Sequence, residues 1–436
     1  DGMADLLSQG GVEFSELREV VHGSTLVTNL VIERKGARTA LLTTKGFRDI
    51  IEFGTEQRYD VHDLFLRFPG ALVERSLRFE VNERMSRDGD VIEPIADEEI
   101  HRLLQQALDG GAKAVAVVFL HSYRNDAHER AVADYASRHF PQLQISISSE
   151  VCGEIREYER ATTTTANAYA QPIVDPYVRK LEQELRNRGF TGELFLVQSS
   201  GALASPGMAR RLPIRLLESG PAGGGLAAAH FGKTLGLHEV IAFDMGGTTA
   251  KVCLIRDGKP DIAPMIEAAR EQRFRRGSGL PILAPVIDMI EIGAGGGSIA
   301  HHDDLGLIKV GPESSAADPG PACYGRGGKL PTVTDANLIL GYLGADSFLG
   351  GRLKLDRPAA EAAYAKLADE DGISIERAAW GVFAVVCENM AGAARVHIVE
   401  KGQDPRNFTM IAFGGAGPAH AVRVAKALNV GRVVVP

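Results

Sequence analysis

Residues 240–258, VIAFDMGGTTAKVCLIRDG, constrain the fold more than any other stretch. An apolar run enters Asp244, two glycines and two threonines follow, and a second run carries Lys251. A glycine-rich turn that closes a strand points to phosphate. In Rossmann and P-loop folds a helix follows such a turn, and its N-terminal amides and dipole hold the phosphate. Here 250–258, AKVCLIRDG, alternates small or charged with apolar residues and ends in Asp-Gly, a hairpin signal. The pattern predicts strand–turn–strand. In that geometry Gly246 and Gly247 turn backbone amides toward a phosphate, and Thr248 and Thr249 add hydroxyl donors. Asp244, at the strand end, is placed to hold Mg²⁺ directly or through its waters. The competing reading is a surface hairpin with a Gly-Gly turn.

A second strand–glycine corner lies at 411–428, IAFGGAGPAHAVRVAKAL. A strand enters Gly414, Gly415, Ala416 and Gly417, and Pro418 takes an early helix position where its missing N–H costs nothing. Such a corner lays flat backbone against a base and sugar. By contrast, 227–234, AAAHFGKT, fits a loose P-loop pattern only on paper. A real P-loop needs a preceding strand and a helix that begins at the Lys-Thr. An alanine-rich helical segment comes before this one, so a helix C-terminus with Gly232 as its stop is the expectation.

At 436 residues the chain has room for two or three cores. The first part alternates strand candidates (38–44, 112–122, 143–149) with helix candidates (97–111, 126–140), an α/β signature. Residues 60–95 break that rhythm and read as an excursion. A helical stretch at 158–190, interrupted at Pro172 and Pro176, reads as the connector to a second domain. That domain carries a strand at 193–199, the hairpin, a helix at 375–402, a strand at 408–413, a helix at 417–429 and a last strand at 430–436. The net charge of −8 argues against nucleic-acid and anionic-membrane partners, which need a basic face. No apolar run approaches the roughly 20 residues that span a bilayer. The four cysteines show no ligand spacing, so reduced thiols in a cytoplasmic protein are expected.

The hairpin and the 411–428 corner resemble the second phosphate motif and the adenosine motif of the actin-like ATPase superfamily. Further runs are HGSTLVTNLVIERKGARTALLTTKGFRD (22–49), SGPAGG (219–224), FDMGGTTAK (243–251), IEIGAGGGSIA (290–300), DPGPACYGRGG (318–328), TVTDANLILGYL (332–343) and FGGAGPAHA (413–421). Together they resemble the hydantoinase A/5-oxoprolinase family, which also holds the ATP-binding subunits of acetone and acetophenone carboxylases. The resemblance implies an actin-like (ribonuclease H-like) α/β fold with two lobes around a nucleotide cleft. The lobes are expected at 1–158 and 159–436. It also implies that the family's first phosphate hairpin and its C-terminal stretch belong to a longer polypeptide than the one in hand.

The chemistry implied by the resemblance is ATP-driven activation of a cyclic amide (hydantoin, N-methylhydantoin or 5-oxoproline type) by phosphorylation of its carbonyl oxygen. The alternative is the ATP-binding subunit of a ketone carboxylase. A hydantoinase B-type partner subunit is implied, with ATP and Mg²⁺ as cofactors. A third reading, of another class, is a non-catalytic actin-like scaffold. The candidate residues are Asp244 for metal or water positioning and Gly246, Gly247, Thr248 and Thr249 for phosphate. Lys251 neutralises phosphate charge or points outward. Gly414, Gly415 and Gly417 line the adenosine pocket, and Gly295, Gly296, Gly297 and Ser298 form a further amide-rich turn. His22, with Thr25 and Asn29, is the substrate-side candidate or else a hydrogen-bonded structural residue; Ser24 departs from the family's His-Gly-Thr-Thr. Asp335 is read as a helix cap, 301–304 (HHDD) as a solvated turn, and Cys323 as no nucleophile.

Overall fold

The computed structural model describes residues 2–272 and 275–436. By contacts the chain divides into two compact units, Asp1–Gly223 with Ile262–Val286, and Gly224–Asp261 with Ile287–Pro436. Residues 159–223 therefore pack with the first unit.

The first unit is built on a parallel sheet of β2 (Thr39–Thr44), β3 (Arg78–Val81), β4 (Ala114–Val118) and β5 (Gln144–Ile147), in the order β3-β2-β4-β5. Strands β2 and β4 are buried at every residue. Parallel strands covered on both faces read as continuous apolar runs, which is what ALL and AVAVV supply. Helices α1 (Asp97–Asp109), α2 (Ala127–His139) and α3 (Glu157–Asn187) bury Leu104, Val132 and Ala161 in this core. The 60–95 excursion contains a ladder strand: β3 pairs β2 with Leu42 opposite Phe79.

Helix α3 runs 31 residues straight past Pro172 and Pro176, where an interruption was expected. Each proline removes a hydrogen bond and crowds the preceding turn. Burial on both sides of them offsets that cost: Ala161–Ala170 before, then Val174, Val178 and Leu185 after. Strand β1 (Glu19–His22) pairs in parallel with β6 (Glu193–Val197) in a separate small sheet, so the 193–199 strand belongs to the first unit.

The second unit carries β7 (Glu239–Met245), β8 (Ala250–Arg256), β9 (Met289–Ile292), β10 (Thr409–Phe413) and β11 (Arg432–Val434). As expected, β7 and β8 form an antiparallel hairpin; β10 runs parallel to β7, β11 parallel to β10, and β9 antiparallel to β8. Ile241, Phe243 and Met245 point into a core shared with α5 (Val333–Ile339), α6 (Ile375–Glu400) and α7 (Gly417–Leu428). The opposite face takes α4 (Ser219–Thr234): a Cβ on Gly232 would meet Val240 at 3.1 Å and one on Gly225 would meet Cys253 Sγ at 3.4 Å. The AAAHFGKT stretch lies inside α4, up to Thr234, as a helix and not a P-loop. Its left-handed residue is Gly236, not Gly232, which sits within the helix against Val240.

Helix α6 is long and apolar enough, by length and composition, to cross a membrane, although no apolar run in the sequence had suggested one. Half of its most apolar window is buried in the protein, and Val382, Phe383, Val386 and Met390 belong to the core of the second unit.

Candidate nucleotide site

Strand β7 alternates, so while Phe243 and Met245 enter the core, Asp244 lies half-buried on the α4 face. The turn closes with Gly246 N donating to Thr249 O at 3.0 Å. Gly247 and Thr248 are exposed at its tip, and among the described residues their amides donate to no protein acceptor. A Cβ placed on Gly247 meets nothing within 4 Å, and Gly247 is not in the left-handed region. The chain itself therefore does not demand glycine there.

The Gly295–Ser298 turn differs from its expected role. Gly296 N donates to Gly246 O at 3.0 Å and Gly297 N to Gly247 O at 2.6 Å. Gly295 N donates to Ser298 Oγ at 2.9 Å, and Ser298 N to Gly295 O at 3.1 Å. All four amides are used inside the protein, so this turn braces the hairpin and has no amide left for a ligand. A Cβ on Gly295 would sit 2.5 Å from Gly247 O, which explains the glycine by backbone approach.

A further layer supports that brace. Thr334 donates to Gly296 O from its amide at 2.7 Å and from its hydroxyl at 2.8 Å. Thr334 opens α5, whose capping box joins Thr332 and Asp335. Asp335 is fully buried and accepts from Thr332 N, Thr332 Oγ1, Cys323 N and Ala322 N at 3.0, 2.7, 2.8 and 3.3 Å. The cap was legible in the sequence; the grip on 322–323 and the part played by Thr334 were not.

The second glycine corner leaves the same edge of the sheet. Asp244 lies opposite Phe413 in the parallel β7–β10 register, so the two turns emerge from neighbouring strand ends. Gly414 is left-handed (φ +78), and a Cβ on it would overlap Asp244 Oδ1 and Met245 O. Ala416 N donates to Met245 O at 3.0 Å, and a Cβ on Gly417 would stand 3.5 Å from Met245 N. Pro418 opens α7 as expected, and Gly415 is exposed.

Burial raises the pKa of Asp244, and Lys251 works against that rise. Lys251 faces Asp244 across β7–β8, and Glu291 of β9 faces Lys251 across β8–β9. Lys251 Nζ stands 3.9 Å from Glu291 Oε1. Sequence reasoning passed over Glu291, although it is the second residue of the IEIGAGGG run. Among the described residues no three His, Cys, Asp or Glu side chains converge as a metal cage. One desolvated carboxylate beside exposed hydroxyls and amides fits Mg²⁺, which keeps most of its ligands as waters and phosphate oxygens.

The remaining candidates fall elsewhere. His22 ends β1 in the first unit, its Nε2 2.7 Å from Tyr177 Oη, with its pKa lowered by burial. Thr25 stands just before the helix Leu26–Ile32, which contains Asn29, and its side chain makes no capping hydrogen bond. Ser24 exchanges hydrogen bonds with Ser219, its amide donating to Ser219 Oγ at 3.0 Å and its carbonyl accepting at 2.6 Å. The HGST and SGPAGG runs thus meet. His302 hydrogen-bonds to Glu370 at 2.9 Å with Asp371 Oδ1 3.0 Å from its other ring nitrogen, and Cys323 is buried with its pKa raised by that burial.

The hydantoinase/oxoprolinase profile matches residues 160–436, and the profile of the hydantoinase/oxoprolinase N-terminal region matches residues 1–140. The chain belongs to the hydantoinase/oxoprolinase family. It is 40% identical to an uncharacterized protein of Methanocaldococcus jannaschii, covering 100% of this chain and 65% of that protein. It is 36% identical to the caprolactamase subunit alpha of Pseudomonas jessenii (95% and 59%) and 34% identical to the acetophenone carboxylase gamma subunit of Aromatoleum aromaticum (92% and 55%). The crystal structure of the ATP-dependent caprolactamase from Pseudomonas jessenii superposes with a TM-score of 0.84 at 34% identity, over 100% of this chain and 63% of that one. The chain thus spans under two thirds of the length of each.

Proposed function

We propose that this protein is an ATP-dependent enzyme that activates a cyclic amide by phosphorylating its carbonyl oxygen, so that the ring can be opened by water. The observation that carries the reading is the pair of glycine corners, 246–249 and 414–417, rising from adjacent strand ends with Asp244 between them. Open crevices at the carboxyl ends of parallel strands are where α/β sheets bind ligands. Strand–turn–strand at 240–256, with the motif runs along the chain, supports the actin-like ATPase fold. The caprolactamase relative supports the substrate class.

In this reading the open amides of Gly247 and Thr248 hold phosphate, Lys251 neutralises charge, and Gly414, Gly415 and Gly417 face the nucleoside. Asp244 would hold Mg²⁺, which supplies charge neutralisation when bound. An amide carbonyl is a poor electrophile because nitrogen donates into it. The amide oxygen attacks the γ-phosphorus and ADP departs. Water then adds to the carbon and the C–N bond breaks with the amine as leaving group. A second water releases phosphate from the acyl phosphate. His22 is the proposed proton carrier on the substrate side, held by Tyr177.

A second reading, the ATP-binding subunit of a ketone carboxylase, is favoured by the acetophenone carboxylase relative. In both readings a B-type partner subunit is expected. The compartment is proposed to be cytoplasmic, which suits four buried free cysteines. The deciding experiment is ADP release by the purified protein with its partner, offered 5-oxoproline, hydantoins, caprolactam, or ketones with bicarbonate. ADP release with a cyclic amide supports the first reading and with a ketone the second. No release, and no change of melting temperature with MgATP, would leave a scaffold.

A further inference from the structure

The two open amides at the hairpin tip stand at the ends of two separate hydrogen-bonded rows of peptide groups. A trans peptide points its carbonyl and its N–H in opposite directions, so a bond accepted at one end and a bond donated at the other polarise the same group. The N–H of Gly247 shares its peptide with Gly246 O. That oxygen accepts from Gly296 N at 3.0 Å, and the Gly296 amide shares its peptide with Gly295 O, which accepts from Ser298 N at 3.1 Å. The N–H of Thr248 shares its peptide with Gly247 O, which accepts from Gly297 N at 2.6 Å. The Gly297 amide shares its peptide with Gly296 O, and there the second row differs. Gly296 O accepts twice from Thr334, from its amide at 2.7 Å and from its hydroxyl at 2.8 Å. The first row is backbone over this length, whereas the second reaches a side chain.

We propose that Thr334 is a positioning residue for the phosphate end of the site: through the Gly296–Gly297 and Gly247–Thr248 peptides, its hydroxyl fixes the Thr248 N–H and strengthens it as a donor to an anion. The proposal deepens the nucleotide reading above and rests on it only for the identity of that anion. Every member of the row belongs to the second unit. Thr334 is 7% exposed, and the capping box of Thr332 and Asp335 holds it at the start of α5. Its hydroxyl bond is therefore made where little water competes. An amide polarised in this way carries more positive charge on its hydrogen and is oriented before the ligand arrives. Binding of an oxyanion at an exposed turn gains from both.

The test has one arm without nucleotide and one with it. NMR with isotope-labelled glycine and threonine amides first compares the nucleotide-free protein with Thr334→Ala, which removes the hydroxyl and keeps the amide bond. The Gly297 and Thr248 N–H resonances are expected to move upfield, while that of Gly247, on the other row, holds its place. Thr334→Ser keeps a hydroxyl and should return both resonances toward those of the parent. A merely structural loss would disturb the two tip amides alike. Calorimetry then measures MgATP binding. Thr334→Ala is expected to weaken it about twofold to threefold, the scale of two cooperative links, and Thr334→Ser to restore it. An unmoved Thr248 resonance, equal shifts at Gly247 and Thr248, or unchanged MgATP affinity in Thr334→Ala would overturn the proposal. If the parent protein binds no MgATP, the nucleotide reading falls, and the amide resonances still decide what Thr334 does.

Discussion

Gly414 presses its α-carbon against the carboxylate of Asp244, so closely that a methyl group at 414 would overlap Asp244 Oδ1 and Met245 O. It also holds φ at +78, where side chains are disfavoured. Gly414→Ala is therefore expected to cost stability by about 2–3 kcal/mol, from the left-handed backbone and the clash together. Displacement of Asp244 should lower turnover as well. Urea unfolding followed beside ADP release checks both; a variant as stable as the parent would show that the corner is loosely built.

Gly247 gives the opposite case. It is exposed at the tip of the hairpin, outside the left-handed region, with open space around its Cβ position. Gly247→Ala should leave stability within about 0.5 kcal/mol of the parent, as surface substitutions do. If the backbone there meets phosphate, MgATP affinity should fall at least about tenfold, the loss of roughly one charge-assisted hydrogen bond. A variant that keeps full MgATP affinity would move the phosphate contact elsewhere.

Asp244 is held against its own solvation. Its pKa is raised chiefly by burial, so above that pKa the folded protein carries a carboxylate it would rather protonate. A raised carboxylate pKa contributes stability at low pH that is lost as pH rises through it. Asp244→Asn removes that penalty and should leave the melting temperature at pH 8 unchanged or higher. Turnover is expected to fall by about 100-fold or more, the scale of losing a group that organises transition-state charge. Retained turnover would refute its placement at the reacting centre.

Much of this was legible because the local rules agree. The hairpin at 240–256 announced itself by period-two apolar residues and an Asp-Gly turn, and the 417 corner by glycine followed by proline. Asp335 showed its capping role through TVTD. The failures have separate causes, the first being that backbone amides have no sequence signature. Gly295–Ser298 looked as amide-rich as 246–249, and only the structure shows those amides spent on the hairpin. Prolines 172 and 176 read as breaks because helix propensity is local, while the burial that overrides it comes from distant strands. Glu291 was hidden because a cross-strand register cannot be read from one strand.

The first unit contains a buried polar network that no motif signalled. Glu129 is fully buried and accepts from Phe119 N at 3.0 Å, Ser148 Oγ at 2.6 Å and Ser149 N at 2.8 Å. Arg160, also buried, donates to Ser148 Oγ at 3.0 Å and to Phe119 O at 2.8 Å. The pair ties α2 and α3 to the ends of β4 and β5. Glu129→Ala would leave three donors without their acceptor in the core and should destabilise by about 3 kcal/mol. Hydrogen exchange at Phe119 and Ser149 is the local readout, and unchanged protection there would mean the network closes without Glu129.

His420 makes the second unit sensitive to mild acid. It is fully buried, 3.0 Å from Asn337 Nδ2 and 3.4 Å from Cys387 Sγ, and stacks on Phe383 with ring centroids 4.8 Å apart. Burial lowers its pKa to about 4 from 6.5. Between those values the unfolded chain takes up a proton that the folded chain refuses, so the stabilisation present above pH 6.5 is lost as pH falls toward 4. The full effect is roughly 3 kcal/mol. His302 acts in the opposite sense: burial lowers its pKa, but Glu370 and Asp371 outweigh that and raise it, giving stability that is lost as pH rises. The comparison must therefore be between parent and His420→Gln. Trp380, the chain's single tryptophan, stacks on Phe383 and reports unfolding of this unit by fluorescence. The parent's urea midpoint should drop between pH 7 and pH 5 by more than that of the variant, and parallel pH dependences would show that the imidazole takes its proton inside the folded core.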